Sequence, residues 1–387
     1  MGAEQSSNKG QVLSKSGEEP KYVQQQEPPY PGPAPEYKFI NTNVSIGAKF
    51  AFGGGAGQEL VTSSVDSYYP FLASQYAEGF RLLSFVRTPQ QLREGGLFCT
   101  SVSVPFQGIL CRYPYQNEGW RLQVEKSVIQ TQFVYNGIIS CNSASVADAS
   151  SLTQSIINNT QIGGRLLCVE LTGQEISQGF SAGFAGRSPI HGVDLFYEIP
   201  THPNPEIYTY QIVPVNIEIY VNFGRSITIG CDWAGILGNY LSQGWRLVEV
   251  FLDSGKTNPK FLSTTSAVSS MWFFEKPSSA AQDPRPRYQG TYVEHMVPVR
   301  AGFSGAHSEC GWEGRVQEMG RNGWELASVL QTPEIHYQGG FSGSYDIKFI
   351  LFFQRQIVYH GGAAPPMPQM PPQGPNPPSY DSLQVKN

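Results

Sequence analysis

Four times along the chain, apolar residues spaced three and four apart give way to a glycine, and then to an aromatic or β-branched run. The clearest copy sets Val316, Met319 and Gly320 ahead of Gly323-Trp324-Glu325-Leu326-Ala327-Ser328-Val329, with Thr332-Pro333 behind it. Ile236, Leu237, Tyr240 and Leu241 precede Gly244-Trp245-Arg246-Leu247-Val248-Glu249-Val250, and Phe71, Leu72, Gln75 and Tyr76 precede Gly79-Phe80-Arg81-Leu82-Leu83-Ser84-Phe85-Val86. The weakest copy is Gly164-Arg165-Leu166-Leu167-Cys168-Val169, after Leu152, Ile156 and Ile157. The four glycines recur at about 80 residues, the kind of internal period that marks a repeated structural unit.

Each copy predicts the same elements. Three-and-four spacing makes an amphipathic helix. The glycine falls where a helix ends in the left-handed conformation, which only Gly adopts without a Cβ penalty. The run behind it starts a strand, with the aromatic and Leu two apart on one pleat face. After Leu247 the alternation changes phase, which predicts a bulge or a strand buried on both faces. Opening strands are expected at residues 37–42, 120–125, 208–215 and 292–299, and closing strands at 106–112, 193–199, 271–275 and 346–354. The resulting expectation is an α+β fold of four β-α-β-β modules, each a helix on one face of a small sheet. They span 37–113, 117–200, 206–277 and 288–356, with residues 278–287 as a linker. The repeated aromatic and leucine positions read as core and not as a ligand box. Trp233 and Trp312, ahead of the third and fourth helices, read as staple or core residues. Modules of this size are marginal alone, so they are expected to pack together in pairs.

Composition narrows the function. The 387 residues carry a formal charge of −5 and only 15% charged side chains. No clustered basic face exists to attract nucleic acid. Cys99, Cys111, Cys141, Cys168, Cys231 and Cys310 have no metal-ligand spacing and, with no secretory apolar region at the start, read as reduced cytosolic thiols. His307, near Glu309 and Cys310, is the nearest approach to a metal or nucleophile cluster and lacks the required spacing. Gly53-Gly54-Gly55-Ala56-Gly57 lacks the Lys-Ser/Thr of a phosphate loop. No nucleophile–base pair, metal triad or cofactor motif stands out, so a non-enzyme is expected, without cofactor or metal.

The ends carry the motifs. Residues 1–36 are polar and read as a disordered arm, stiffened by Pro28-Pro29-Tyr30-Pro31-Gly32-Pro33-Ala34-Pro35 as a polyproline spacer. Met1-Gly2-Ala3-Glu4-Gln5-Ser6 matches the pattern for myristoylation of Gly2. One such chain partitions with a constant on the order of 10⁴ M⁻¹, so residence at a membrane needs a second contribution. Residues 361–387 form a Pro-rich tail, read as disordered. In it Pro377-Pro378-Ser379-Tyr380 matches the Pro-Pro-x-Tyr ligand of WW domains, and Tyr380-Asp381-Ser382-Leu383 matches the Tyr-x-x-apolar signal read by clathrin adaptors.

The order of features resembles the raftlin family: a Met-Gly start and polar arm, Glu36-Tyr37-Lys38-Phe39, Gln75-Tyr76-Ala77-Glu78-Gly79-Phe80-Arg81-Leu82, then Asn117-Glu118-Gly119-Trp120 opening a second unit. The likeness is clearest over residues 1–200. It implies a lipid-anchored protein of the cytoplasmic leaflet that associates with cholesterol-rich membrane domains and supports receptor signalling and ligand internalisation. Of functional residues it carries over Gly2 alone. It breaks at Ala3, where the family has a cysteine for palmitoylation, so partition into rafts by dual acylation is not implied. The Gly-Trp-Glu-Leu turn is also similar to a small bacterial domain of unknown function.

The expected function is therefore a myristoylated, non-enzymatic scaffold at the cytoplasmic face of the plasma membrane or endosomes, with a cytosolic pool. Its tail would recruit WW-domain proteins or clathrin adaptors to organise receptor signalling or endocytic traffic. The alternative is a soluble lipid- or small-molecule-binding protein with a pocket between repeats.

Overall fold

The computed structural model describes residues 30–49, 59–94, 101–114, 119–136, 140–172, 175–177, 190–202, 205–222, 226–252, 267–302, 305–338 and 344–358. The first repeat runs β1 (Glu36–Lys49), β2 (Glu59–Ser63), α1 (Tyr69–Ser74), β3 (Arg81–Arg87), β4 (Gln91–Glu94) and β5 (Ser101–Arg112). The second runs β6 (Trp120–Asn136), β7 (Ser140–Asp148), α2 (Ser150–Thr160), β8 (Arg165–Glu170), β9 (Glu175–Ser177) and β10 (Ile190–Pro200). In the third, β11 (Tyr208–Asn222), β12 (Ser226–Gly230), α3 (Trp233–Leu241), β13 (Arg246–Phe251) and β14 (Ala267–Pro277) follow in order. The fourth has β15 (Tyr288–Gly302), β16 (Gly305–Ser308), a helix α4 (Glu313–Arg321), β17 (Glu325–Tyr337) and β18 (Ser344–Gln356).

This overturns the expected α+β class and its β-α-β-β unit. The chain is mostly β, and each repeat opens with an antiparallel pair of strands where one was expected. The first strands run well past their predicted ends, and the returning strands of the first, third and fourth repeats are only four or five residues long. Ser226–Gly230 and Gly305–Ser308 are examples. Such segments give too short an alternation to read as strands. Within each repeat the first strand pairs with the last, so the sheet order is second, first, last, third.

The helix ends follow from the glycine turn. Asp232 caps α3 by accepting from Gly235 N at 2.9 Å, and Trp233, Leu237 and Leu241 line its buried face at four-residue spacing. The chain then reverses through Gly244 at φ 84°, with Trp245 N donating to Tyr240 O at 3.2 Å. The same closure recurs as Phe80 N to Gln75 O, Gly164 N to Asn159 O and Trp324 N to Met319 O. In the second repeat the left-handed residue is Gly163 at φ 79°, one position before the glycine that the sequence pattern singles out. Gly164 takes the place the aromatics hold elsewhere. A Cβ on it would meet Asn159 O at 2.7 Å.

The repeats close into a ring instead of packing in pairs. Short joints link β2 to β9, β7 to β14 and β12 to β17, and β16 of the last repeat pairs with β4 of the first. Four apolar cores lie between consecutive repeats. Leu72, Phe85 and Phe106 meet Phe196 of the second repeat; Leu152, Ile156 and Tyr197 meet Phe251 and Phe273 of the third. Trp233, Leu237 and Trp272 meet Ile350 and Phe352 of the fourth; Trp312, Val316 and Phe349 meet Leu83 and Ile109 of the first. A unit too small to sustain a core alone thus shares both its faces with neighbours.

At the centre, β3, β8, β13 and β17 pack each against the next around a common axis. Each carries a bulge at the same place, at Leu83, Leu167, Val248 and Ala327, where the register to the last strand slips by one. The phase change after Leu247 is this bulge, and the strand around it is also buried on both faces.

Candidate functional site

The residue directly after the aromatic of each repeat signature begins an axial strand. These residues are Arg81, Arg165, Arg246 and Glu325, and they meet at one end of the axis. Opposite them in register stand Cys111, Glu198, Glu275 and Gln354 on the last strands. The pairs then link across repeats. Arg81 grips Glu198 of the second repeat with two donors, Nε at 2.7 Å and Nη2. Arg165 reaches Glu275 of the third through Nε and Nη2. Arg246 bridges Glu275 at 2.8 Å and Glu325 of the fourth at 2.5 Å, and Tyr113 of the first donates to Glu325 at 2.8 Å.

Charge and burial explain the electrostatics. Burial alone would raise the Glu275 carboxyl, but the guanidiniums of Arg165 and Arg246 outweigh it and hold the group at about 2. Glu325 is likewise lowered: its burial is overcome first by Arg246. Ion pairs this deep stabilise little net, because desolvation offsets attraction, yet removing one partner costs about 3–5 kcal/mol. Arg81–Glu198, Arg165–Glu275, Arg246–Glu325 and Tyr113–Glu325 each span two repeats, so the network joins every repeat to a neighbour.

A second set of bonds serves the same end. The N–H of the signature leucine in each repeat is accepted by a side chain: Leu326 by Tyr37 at 2.7 Å, Leu166 by Tyr210 at 2.8 Å, Leu82 by Tyr76 at 3.2 Å, and Leu247 by Gln354 at 3.0 Å. Tyr37 and Tyr210 hold equivalent places on first strands. Where the equivalent residues are Leu122 and Gly290, Tyr76 and Gln354 substitute. A side chain at Gly290 would displace α3, since its Cβ would lie 2.3 Å from Leu241 Cδ1 and 2.7 Å from Leu237 Cδ2.

Arg81, Arg165, Arg246, Glu198 and Glu325 wall a cavity of about 230 Å³ that opens at the end of the axis. The last described residues of the N-terminal arm lie across its mouth. Tyr30 and Pro33 line it, Tyr30 Oη donates to Gln356 O at 3.0 Å, and the Arg355 guanidinium sits 5.4 Å from the Tyr30 ring and 4.3 Å from that of Trp324. Beyond the cavity the axis continues through Glu249. Its carboxylate accepts from Ser328 Oγ and from Val250 N at 2.8 Å. Burial pushes Glu249 up to about 7 against those bonds, and Glu170, also buried, up to about 8.

Burial pushes the Cys111 thiol well above its ordinary range, which removes it as a nucleophile at neutral pH. The Cys310 thiol, beside His307 in sequence, is pushed up to about 12. Among the described residues no three His, Cys, Asp or Glu side chains gather as a metal site. No helix among them is long and apolar enough to cross a membrane.

Of the residues marked by the sequence, Gly79, Gly244 and Gly323 hold positive φ at the helix ends, and Phe80, Leu82, Leu166, Leu247 and Leu326 are buried. Trp245 and Trp324 pack at the edges of the third–fourth and fourth–first cores. Each is half-buried beneath a cation, Lys276 at 5.8 Å and Arg355 at 4.3 Å. Trp233 and Trp312 are buried. Gly2 and the tail residues Pro377, Pro378, Tyr380 and Leu383 lie outside the described residues, as does Gly53-Gly54-Gly55-Ala56-Gly57. The charged ring was missed. Its signal was an alignment of the four copies, which places Arg, Arg, Arg and Glu in one column. No family model matches the chain, and neither a curated protein nor a solved structure does.

Proposed function

We propose that the chain is a non-enzymatic, membrane-associated scaffold of raftlin-like organisation, tethered through a myristoylated Gly2 at the cytoplasmic face of the plasma membrane or of endosomes. The ring is the rigid hub. Its tail, through Pro377, Pro378, Tyr380 and Leu383, recruits WW-domain proteins or clathrin adaptors. The observation that carries this reading is where the arms attach. Tyr30, at the end of the N-terminal arm, bonds the carbonyl of Gln356, and Ile357 N bonds Arg287 O at 2.8 Å as the tail begins. Tether and recruitment segment thus leave the hub side by side. A scaffold of this kind works by raising the effective concentration of a partner at the membrane.

The ring's own groups support a non-catalytic role, since its carboxylates are engaged by arginine and tyrosine. A sterol or lipid pocket draws little support from the axial cavity, whose walls carry five ionised side chains, Arg81, Arg165, Arg246, Glu198 and Glu325, among Leu83, Leu167 and tyrosines. Intact-mass spectrometry of the protein from its native cells, with membrane fractionation of wild type and Gly2→Ala, tests the tether. The expected result is one myristoyl group after Met1 removal and a wild-type protein in the membrane fraction that Gly2→Ala releases. An unmodified or acetylated N-terminus on a soluble protein overturns it.

A further inference from the structure

The hydrogen bonds around the axial cavity leave a particular remainder. Both oxygens of each ring carboxylate are occupied: Glu198 by Arg81 and Tyr76, Glu275 by Arg165, Arg246 and Tyr210, and Glu325 by Arg246 and Tyr113. The donors are not all spent. Arg165 uses Nε and Nη2 on Glu275, which leaves Nη1. Arg246 uses Nη1 and Nη2, which leaves Nε–H. Tyr288 also lines the cavity, and its hydroxyl makes no hydrogen bond with any described residue. Burial raises that hydroxyl; the guanidiniums of Arg246 and Arg165 lower it and the carboxylates of Glu275 and Glu325 raise it further, so charges of both signs face it.

Donors that face the cavity without a described protein partner suit an acceptor placed within it. Among the described residues Arg81, Arg165 and Arg246 line the cavity with Glu198 and Glu325, while Glu275, which Arg165 and Arg246 share, stands behind the wall, so the lining presents more guanidinium than carboxylate. The donors come from the second, third and fourth repeats and approach the axis from different sides. A planar carboxylate presents two oxygens in one plane and suits one guanidinium fork. A tetrahedral oxyanion presents oxygens in several directions and suits convergent donors. The volume of about 230 Å³ exceeds what a bare phosphate needs and leaves room for the small organic group it esterifies.

We propose that the axial cavity is a binding site for a small phosphate ester, held by Arg165, Arg246 and Tyr288 and covered at its mouth by Tyr30 and Pro33. Tyr30 makes the mouth conditional: its hydroxyl donates to Gln356 O at 3.0 Å and its ring lies against Gly323 and the Arg355 guanidinium, so a ligand entering by the mouth displaces Tyr30 first. The same chemistry arises in a soluble phosphate ester and in a phosphorylated lipid headgroup.

The test uses the unmyristoylated full chain, Gly2→Ala, so that its outcome is independent of the membrane tether. Calorimetric titration with inorganic phosphate, glycerol 3-phosphate and inositol trisphosphate is expected to show saturable binding, tightest for an ester. Tyr288→Phe keeps the ring's packing and removes one hydrogen bond to a charged ligand, which weakens binding about tenfold. Tyr30→Ala opens the mouth and tightens it. Co-sedimentation with phosphatidylcholine vesicles, with and without a phosphoinositide, assigns the source: recruitment by the phosphoinositide names a headgroup, and binding of soluble esters alone names a soluble ligand. The proposal is overturned if wild type and Tyr30→Ala bind none of the three probes, or if Tyr288→Phe binds them as tightly as wild type.

Discussion

Glu249 gives the sharpest handle on the axis. It is 5% exposed, at the bulge of β13, and its carboxylate ties that strand to Ser328 of β17. Burial raises it from 4.5 to about 7, against the hydrogen bonds from Ser328, Val250 N and Val169 N. The folded state therefore holds a proton that the unfolded chain releases. Its contribution to stability is complete below pH 4.5, declines as pH rises toward 7, and is lost above that. At 1.36 kcal/mol per pH unit, the shift corresponds to about 3 kcal/mol. Glu249→Gln keeps the acceptor for Val250 N and Ser328 and never ionises. Urea unfolding of wild type and Glu249→Gln at pH 4.5, 6, 7 and 8.5 reads the difference. The two proteins should match at pH 4.5, and the variant should be the more stable by about 3 kcal/mol at pH 8.5. Parallel pH profiles would show that Glu249 is ionised in the fold and refute the buried axial carboxyl.

Other perturbations address the ring directly. Arg246→Ala leaves Glu275 with one guanidinium and Glu325 with Tyr113 alone; it should cost about 3–5 kcal/mol in urea unfolding, and a loss below 1 kcal/mol would contradict the network. Trp312→Ala empties the core between the last and first repeats at about 3–5 kcal/mol. Because the ring is closed, Trp272 fluorescence in the third repeat should report the same lowered midpoint; an unchanged Trp272 transition argues for an open chain of repeats. Gly311 and Gly323 both hold positive φ, 67° and 79°, but only a Cβ at 323 meets Tyr30, at 1.9 Å. Gly311→Ala should cost about 1–2 kcal/mol. Gly323→Ala should cost more, and the excess should vanish in a Tyr30→Ala background.

The glycine turns, the helix faces and the axial strands were legible because each is a local code. A C-terminal glycine, three-and-four spacing and an apolar run declare themselves within about a dozen residues. Ser226–Gly230 and Gly305–Ser308 were not legible, since their strand state comes from pairing with a long first strand and not from their own alternation. Ring closure was hidden for a similar reason. The contact of Trp312 with Gln107, at 2.6 Å, spans 205 positions and leaves no periodic trace. The charged ring lay between these cases. Arg81, Arg165, Arg246 and Glu325 each look like a solvent-facing charge at the start of a strand, and only superposing the four copies shows that they share one place. Gly164 misled the comparison by one residue, because the left-handed turn belongs to Gly163.

The scaffold reading is tested most directly by reconstitution: myristoylated full-length protein, vesicles and a soluble WW domain, separated by flotation. The account predicts that the WW domain rises with the vesicles only when wild-type protein is present, and stays below with Gly2→Ala or Tyr380→Ala. A WW domain and a clathrin adaptor that both remain below with the wild-type, lipidated protein would contradict the account.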